Sequence, residues 1–184
     1  SSGYTVTLAE GPDGAIWAGT LNSGLWRIAK GPAGQPVLRL YTTADGLSGN
    51  QIRSLYQDPD GTLWIGTLGG GLSAFRDGMF YRYSAHDGLL SDNIAHVQDD
   101  GRGNLWLSTT KGICRIAKRQ LRDVSAGKIR VLTPENFGIK DGLRSLQCAP
   151  AASGERRRNK NEGRQPLVPH QPRVGDDLSA CRGA

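Results

Sequence analysis

At 184 residues with 26 glycines, the chain is sized for one ordinary domain and carries roughly twice the usual share of glycine, which favours short strands and tight turns over helices. The net charge of +6 comes from 23 Lys and Arg against 17 Asp and Glu, and half of that excess lies after residue 148, so the nearly balanced body gives no charge signature of a nucleic-acid binder. No apolar run approaches the roughly 18 residues of a membrane helix, and three widely spaced cysteines (Cys114, Cys148 and Cys181) form neither a disulfide framework nor a Cys-x-x-Cys metal pair.

The chain opens with Ser1-Ser2-Gly3, without an initiator Met or a signal-peptide pattern, and so reads as a fragment or as a chain whose leader has been removed. Asp13-Gly14-Ala15-Ile16-Trp17-Ala18-Gly19-Thr20 then sets a pattern that recurs as Asp60-Gly61-Thr62-Leu63-Trp64-Ile65-Gly66-Thr67 and as Arg102-Gly103-Asn104-Leu105-Trp106-Leu107-Ser108-Thr109. The tryptophans are spaced 47 and then 42 residues apart. A second block follows each: Ser23-Gly24-Leu25-Trp26-Arg27-Ile28, Gly70-Gly71-Leu72-Ser73-Ala74-Phe75 and Lys111-Gly112-Ile113-Cys114-Arg115-Ile116. A third is Ala44-Asp45-Gly46-Leu47, His86-Asp87-Gly88-Leu89 and Lys140-Asp141-Gly142-Leu143. Three blocks recurring in one order at this period correspond to four-stranded propeller blades. The spacing divides the chain at approximately 4–44, 45–86 and 87–140, with a further blade starting over 141–148.

The middle repeat predicts the strands. Gln51 to Gln57 is an inner strand whose alternation turns Leu55 inward. Asp58-Pro59-Asp60-Gly61 is a turn, since proline fits its second position and glycine can end it at low steric cost. Leu63 to Thr67 and Leu72 to Arg76 are the next two strands, Asp77-Gly78 is a hairpin signal, and Met79 to Tyr83 is the outer strand. The first repeat has the longer hairpin Gly31 to Pro36 at this point. The third carries a longer excursion, Lys118 to Lys128, with one helical turn over Arg119 to Val124, before an outer strand at Ile129-Arg130-Val131-Leu132. Arg144 to Cys148 is in register with the start of another inner strand.

These blocks resemble the two-component regulator propeller repeat, whose pattern is an inner strand ending in Asp, then Asp-Gly-x-Leu-Trp-Ile-Gly-Thr, Gly-Gly-Leu, an outer aromatic strand and Asp-Gly-Leu. Residues 51–93 match it nearly throughout, and the resemblance extends over about residues 4–148. It implies an all-β, incomplete β-propeller of about three four-stranded antiparallel blades plus the start of a fourth. It further implies the periplasmic or extracellular ligand-sensing part of a membrane-anchored bacterial two-component signalling protein, with an oligosaccharide ligand and the remaining blades of a full-length parent as partners. A generic propeller scaffold for protein partners is the second reading. A streptogramin-lyase-like propeller enzyme is the third.

The residues themselves favour binding over catalysis. His86, His96 and His170 form no metal or triad pattern, and Gly69-Gly70-Gly71 has no following helix to hold a phosphate. No enzyme activity, metal, cofactor or nucleic-acid partner is expected. The Asp-rich turns Asp58-Pro59-Asp60-Gly61 and Asp99-Asp100-Gly101-Arg102-Gly103 carry too few oxygen ligands for calcium and read as turns in which Asp caps nearby backbone N–H groups. Trp17, Trp64 and Trp106 share one register and read as the repeat core that packs blade on blade. Trp26 has no counterpart at its register and is freer to be functional. Cys114 and Cys148 read as small buried apolar residues. With the inner strand first in each blade, the loops after the outer strand and between the second and third strands open on one face. That face carries Asn22, Asn50, Asn93 and Lys111, whose amides and cation suit sugar hydroxyls or acidic sugars.

After Cys148 the repeat stops and the composition turns Arg- and Pro-rich, with seven basic and four acidic residues and no aromatic beyond Phe137. Residues 149–184 read as a disordered basic tail, and a shifted reading frame accounts for its origin. Read one nucleotide later, the codons available to Glu162 through Val174 can encode Arg-Asp-Gly-Ser-Leu-Trp-Phe-Pro-Thr-Ser-Arg-Gly, another Asp-Gly-x-Leu-Trp strand. Sequencing the underlying DNA is expected to find that motif open in the shifted frame. A stop codon before it, or a missing Trp codon, refutes the expectation.

Overall fold

The computed structural model describes residues 4–143. Twelve strands form three four-stranded sheets in which each strand pairs with its sequence neighbour. The first sheet holds β1 (Thr5–Glu10), β2 (Ile16–Thr20), β3 (Leu25–Lys30) and β4 (Pro36–Tyr41). The second holds β5 (Ile52–Gln57), β6 (Leu63–Thr67), β7 (Leu72–Arg76) and β8 (Met79–Tyr83). The third holds β9 (Ile94–Asp99), β10 (Asn104–Thr109), β11 (Gly112–Ala117) and β12 (Glu135–Phe137). All pairings are antiparallel, and the first strands β1, β5 and β9 lie side by side. The described residues are thus three consecutive blades of an incomplete propeller.

A single four-stranded sheet buries little within itself, and the core lies between blades. At the first junction Trp17, Leu25 and Tyr41 of the first blade meet Ile52, Leu63 and Ile65 of the second, with Phe75 and Phe80 packed behind them. At the second, Trp64, Leu72 and Tyr83 meet Ile94, Val97, Leu105, Leu107, Cys114 and Ile116. Gly66 explains how closely the blades approach: a Cβ built there would lie 2.9 Å from the Ile94 Cγ2 atom.

The Asp-Gly-Leu block is a capped turn joining one blade to the next. Asp45, Asp87 and Asp141 each accept a backbone N–H from three residues upstream, at 2.8, 2.9 and 2.8 Å. The following Gly46, Gly88 and Gly142 are left-handed, with φ of 102°, 99° and 96°, a region that admits glycine without a Cβ penalty. Leu47 and Leu89 then drop into the two junctions. Thr20, Thr67 and Thr109 close their hairpins, each hydroxyl donating to the carbonyl of Gly24, Gly71 or Gly112 at 2.8 Å.

Two expectations are corrected. Leu55 does turn inward, half-buried against the first junction, but strict alternation fails, since Ile52 lies on its face and Ser54 is buried on the other. A β-bulge between Ile52 and Ser54 adds a residue to the inner strand, so Ile52 and Leu55, three apart, share one face and both pack toward the first blade. The same bulge recurs opposite Thr20 and Thr109. The outer strand of the third blade is not Ile129–Leu132 but β12, three residues later. The reason is the excursion: α1 runs over Lys118–Ser125, two turns rather than one. Its Leu121 and the following Leu132 are spent in the second junction instead of in the sheet. The tail from residue 149 and most of the fourth repeat lie outside the described residues.

Trp64 is 2% exposed, and its Nε1 donates to Asp58 Oδ2 at 3.1 Å; Trp26 is half-buried. Trp64→Ala is expected to cost about 3–5 kcal/mol, and Trp26→Ala distinctly less. Urea midpoints of the two variants measure the difference, and equal midpoints contradict the assignment of Trp64 to the repeat core.

Candidate functional site

The strand ends place the four predicted binding residues on one face. Asn22 and Lys111 sit in the turns β2–β3 and β10–β11, while Asn93 immediately precedes β9 and Asn50 lies two residues before β5. Backbone bonds stitch these loops together: Gly24 N–H donates to Asn50 O at 3.0 Å, and Gly71 N–H to Asp92 O at 2.8 Å.

Their side chains divide into two pairs. Asn50 Oδ1 accepts the Thr43 N–H at 3.0 Å, and Asn93 Oδ1 accepts the Gly69 N–H at 2.9 Å. Both amides hold loop geometry. Asn22 and Lys111 are exposed, and their side-chain polar atoms make no hydrogen bond among the described residues. Their donors and acceptors are free for a ligand.

Arg53 joins this face, and the sequence reading missed it. It is the extra residue of the second blade's bulge, exposed on the innermost strand two residues into β5. A bulge re-aims its side chain away from the pleat. The signal was present in the sequence: Ile52 and Leu55 three apart around a serine break strict alternation.

The opposite end of the blades holds a buried polar cluster. Lys118, the first residue of α1, is 8% exposed and pairs with Asp58 and, at 3.1 Å, with Asp99 Oδ1. Tyr56 donates its hydroxyl to Asp99 Oδ2 at 3.1 Å, and Arg122, one turn along α1, reaches Asp60 at 2.9 Å. Burial pushes the Asp58 carboxyl up, but hydrogen bonds from Lys118 and Trp64, with the Lys118 charge, outweigh it and hold the group below its ordinary range. Burial likewise disfavours the Lys118 ammonium, and the two carboxylates overcome it and raise its pKa. Burial and the Asp99 charge push the Tyr56 phenol up. Every member is committed to another, and the cluster clasps the second blade to the third. Cys114 is equally inert, because burial pushes its thiol up to about 12.

Of the repeat tryptophans, Trp17 and Trp64 are buried at 4% and 2%. Trp106 is half-buried and stacks on Phe137, with ring centroids 5.3 Å apart, since no blade covers it among the described residues. Trp26 stands at the register of Ser73 and Cys114 and faces away from the second blade.

The two-component regulator propeller family matches residues 46–69. Among solved structures, the chain is similar to what is described as the extracellular domain of the hybrid two-component system BT3049 from B. thetaiotaomicron. The identity is 27% and the TM-score 0.58, over 76% of this chain and 18% of that one. It is also similar to the corresponding domain of BT4673 from the same organism, at 25% identity and a TM-score of 0.67, over 80% of this chain and 20% of that one. The chain therefore spans about a fifth of the length of these relatives. No curated protein matches its sequence. The likeness to two-component regulator propellers carried by the three repeats is borne out.

The clasp makes stability depend on pH at both ends. Asp58 contributes above its ordinary value of 3.8, a contribution lost as pH falls through its lowered folded value. Lys118 contributes below its ordinary value of 10.5, a contribution lost as pH rises through its raised folded value. Lys118→Met leaves two buried carboxylates unpaired and is expected to cost about 3–5 kcal/mol at neutral pH. The gap to the native chain should narrow in acid, as Asp58 protonates, and at strongly alkaline pH, as Lys118 loses its charge. Urea midpoints across the pH range measure it.

Proposed function

We propose that this chain is part of the extracytoplasmic ligand-sensing propeller of a bacterial two-component signalling protein, and that the face carrying Asn22, Arg53 and Lys111 takes a glycan or other small ligand. The observation that carries this reading is the split among the strand-end residues. The fold uses the Oδ1 acceptors of Asn50 and Asn93 to hold neighbouring loops but leaves the side chains of one amide and two cations exposed and without such a bond on the same face. Exposed amides and cations at a rigid strand end suit hydroxyl-rich or acidic ligands. The similarity to extracellular domains of two-component systems supports the sensory role and the location outside the cytoplasm.

The reading includes binding without catalysis. The buried Lys118 and Cys114 side chains are withdrawn from solvent, and Lys118 is held by Asp58 and Asp99. In this reading the parent protein is membrane-anchored and carries further blades, and the propeller binds no nucleic acid.

Titration calorimetry of the chain against neutral and uronic-acid oligosaccharides tests it. Asn22→Ala, Arg53→Ala and Lys111→Ala are each expected to weaken binding about tenfold while leaving the urea midpoint unchanged, one polar contact being worth about 1.5 kcal/mol. Asn50→Ala and Asn93→Ala are expected to act the other way, costing about 0.5–1.5 kcal/mol of stability through loss of the hydrogen bonds from the Thr43 and Gly69 N–H groups. Binding insensitive to all three exposed residues contradicts the assignment of the face.

A further inference from the structure

At the strand-end face the middle blade is the bare one. Counted from the hairpin threonines Thr20, Thr67 and Thr109, the second residue on is Asn22 in the first blade, Gly69 in the second and Lys111 in the third. Gly69 is exposed, and a Cβ built there would meet nothing within 4 Å. The three turns are tied into one row. Gly24 N–H of the first turn donates to Asn50 O at 3.0 Å, and Leu68 N–H of the second donates to Gln51 O at 2.9 Å. Gly71 N–H donates to Asp92 O at 2.8 Å, and the hydroxyls of Ser91 and Thr110 lie 3.3 Å apart at the third turn. Arg53 stands on the hub side of this row, two residues past Gln51. It is exposed although β1 and β9 pack on either side of its strand.

The acids and cations of the row are treated differently. The acidic residues of the two loops joining the described blades are Asp45, Asp87 and Asp92. Each carboxylate accepts a backbone N–H, at 2.8, 2.9 and 2.7 Å. Arg53 and Lys111 are exposed and make no side-chain hydrogen bond or ion pair among the described residues. An anionic group placed between them gains charge-assisted hydrogen bonds without displacing an existing partner. The row also sets a length. Packed sheets stand about 10 Å apart, so Asn22 and Lys111, two blade steps from each other, are separated by roughly 20 Å. A single sugar ring cannot touch both, whereas an extended chain can.

We infer, resting on the sensory assignment of this face, that its ligand is an extended acidic oligosaccharide lying across the second blade. The chain passes over the bare Gly69 turn. Arg53 and Lys111 hold its carboxylate or sulfate groups, and Asn22 meets hydroxyls at the other end. The middle blade thus supplies an open floor, and its hub strand and two neighbours supply the side chains. An asparagine at Gly69, as the first blade has at Asn22, would stand in the path of the chain.

Titration calorimetry of the 184-residue chain against tetragalacturonate, its neutral methyl ester, a sulfated tetrasaccharide and monomeric galacturonate tests this. At least one of the two anionic tetramers is expected to bind about tenfold or more tightly than the ester and than the monomer, and the better arm identifies the anion. Arg53→Gln should remove the preference for the acid over the ester. Gly69→Asn is expected to weaken binding of the anionic tetramer about tenfold or more. Gly69 has φ +83°, a region that asparagine adopts more readily than other side chains, and the urea midpoint checks that the variant folds. Gly78→Asn is the control: Gly78 has φ +78° and equally open space, but lies in the β7–β8 hairpin at the opposite end of the same blade. It should leave binding unchanged. Three results overturn the inference and leave the sensory reading standing, because a glycan is still bound: an ester that binds as tightly as the acid, a monomer that binds as tightly as the tetramer, or native affinity in a folded Gly69→Asn variant. Binding of none of the four probes overturns the inference together with the glycan reading of the face.

Discussion

The indole of Trp64 has no place to go within its own sheet. Its Nε1 donates to Asp58 in its own blade, and its ring is covered by the aliphatic side chains of the next blade. Burying a large aromatic that stands on one face of a four-stranded sheet requires a neighbour, and this requirement organises the molecule. It sets the repeat, because each blade must carry both a tryptophan face and an apolar face that receives the tryptophan of the blade before it. It explains Gly19 and Gly66, where the missing side chain admits the isoleucine of the following inner strand. The Asp-Gly-Leu turn serves the same end, delivering its leucine into the junction. Where the neighbour is missing, at Trp106, the ring is left half-covered.

Most of the fold was legible because repetition amplifies weak signals. One Asp-Gly pair means little, but three Asp-Gly-x-x-Trp strands in a fixed order locate β2, β6 and β10 and, by turn chemistry, their partners. Legibility failed where the repeat is broken. The inner-strand bulge defeats period-2 reasoning, because the extra residue swaps the faces of everything before it. The Lys118–Ser125 helix has no counterpart in the other blades, so nothing in them announced that Leu121 and Leu132 would leave the sheet for the junction. Propensity alone could indicate a helical turn, but not what it would cover.

At the strand-end face the outcome is more uneven. Topology placed Asn22, Asn50, Asn93 and Lys111 together, since loop positions follow from strand order. It could not distinguish a side chain consumed by a neighbouring N–H from one left free, because Asn50 and Asn93 are claimed by residues 7 and 24 positions away. Arg53 escaped notice because an arginine on an inner strand reads as an outward residue in an alternating pattern. The clasp around Lys118 was illegible for the same reason as the helix that carries it: its partners Asp58 and Asp99 belong to two different blades.

The position of Gly66 has a geometric consequence at the end of the arc. Gly19 and Gly66 let the next inner strand approach until its isoleucine touches the backbone. In the third blade the same register holds Ser108, paired with His96 and Ile113. A hydroxymethyl group there thickens the inner rim of that blade. Whatever sits beyond it must stand farther out or bring a side chain smaller than isoleucine. How closely one blade approaches the next is therefore set residue by residue at the hub, and glycine sets it at both junctions among the described residues.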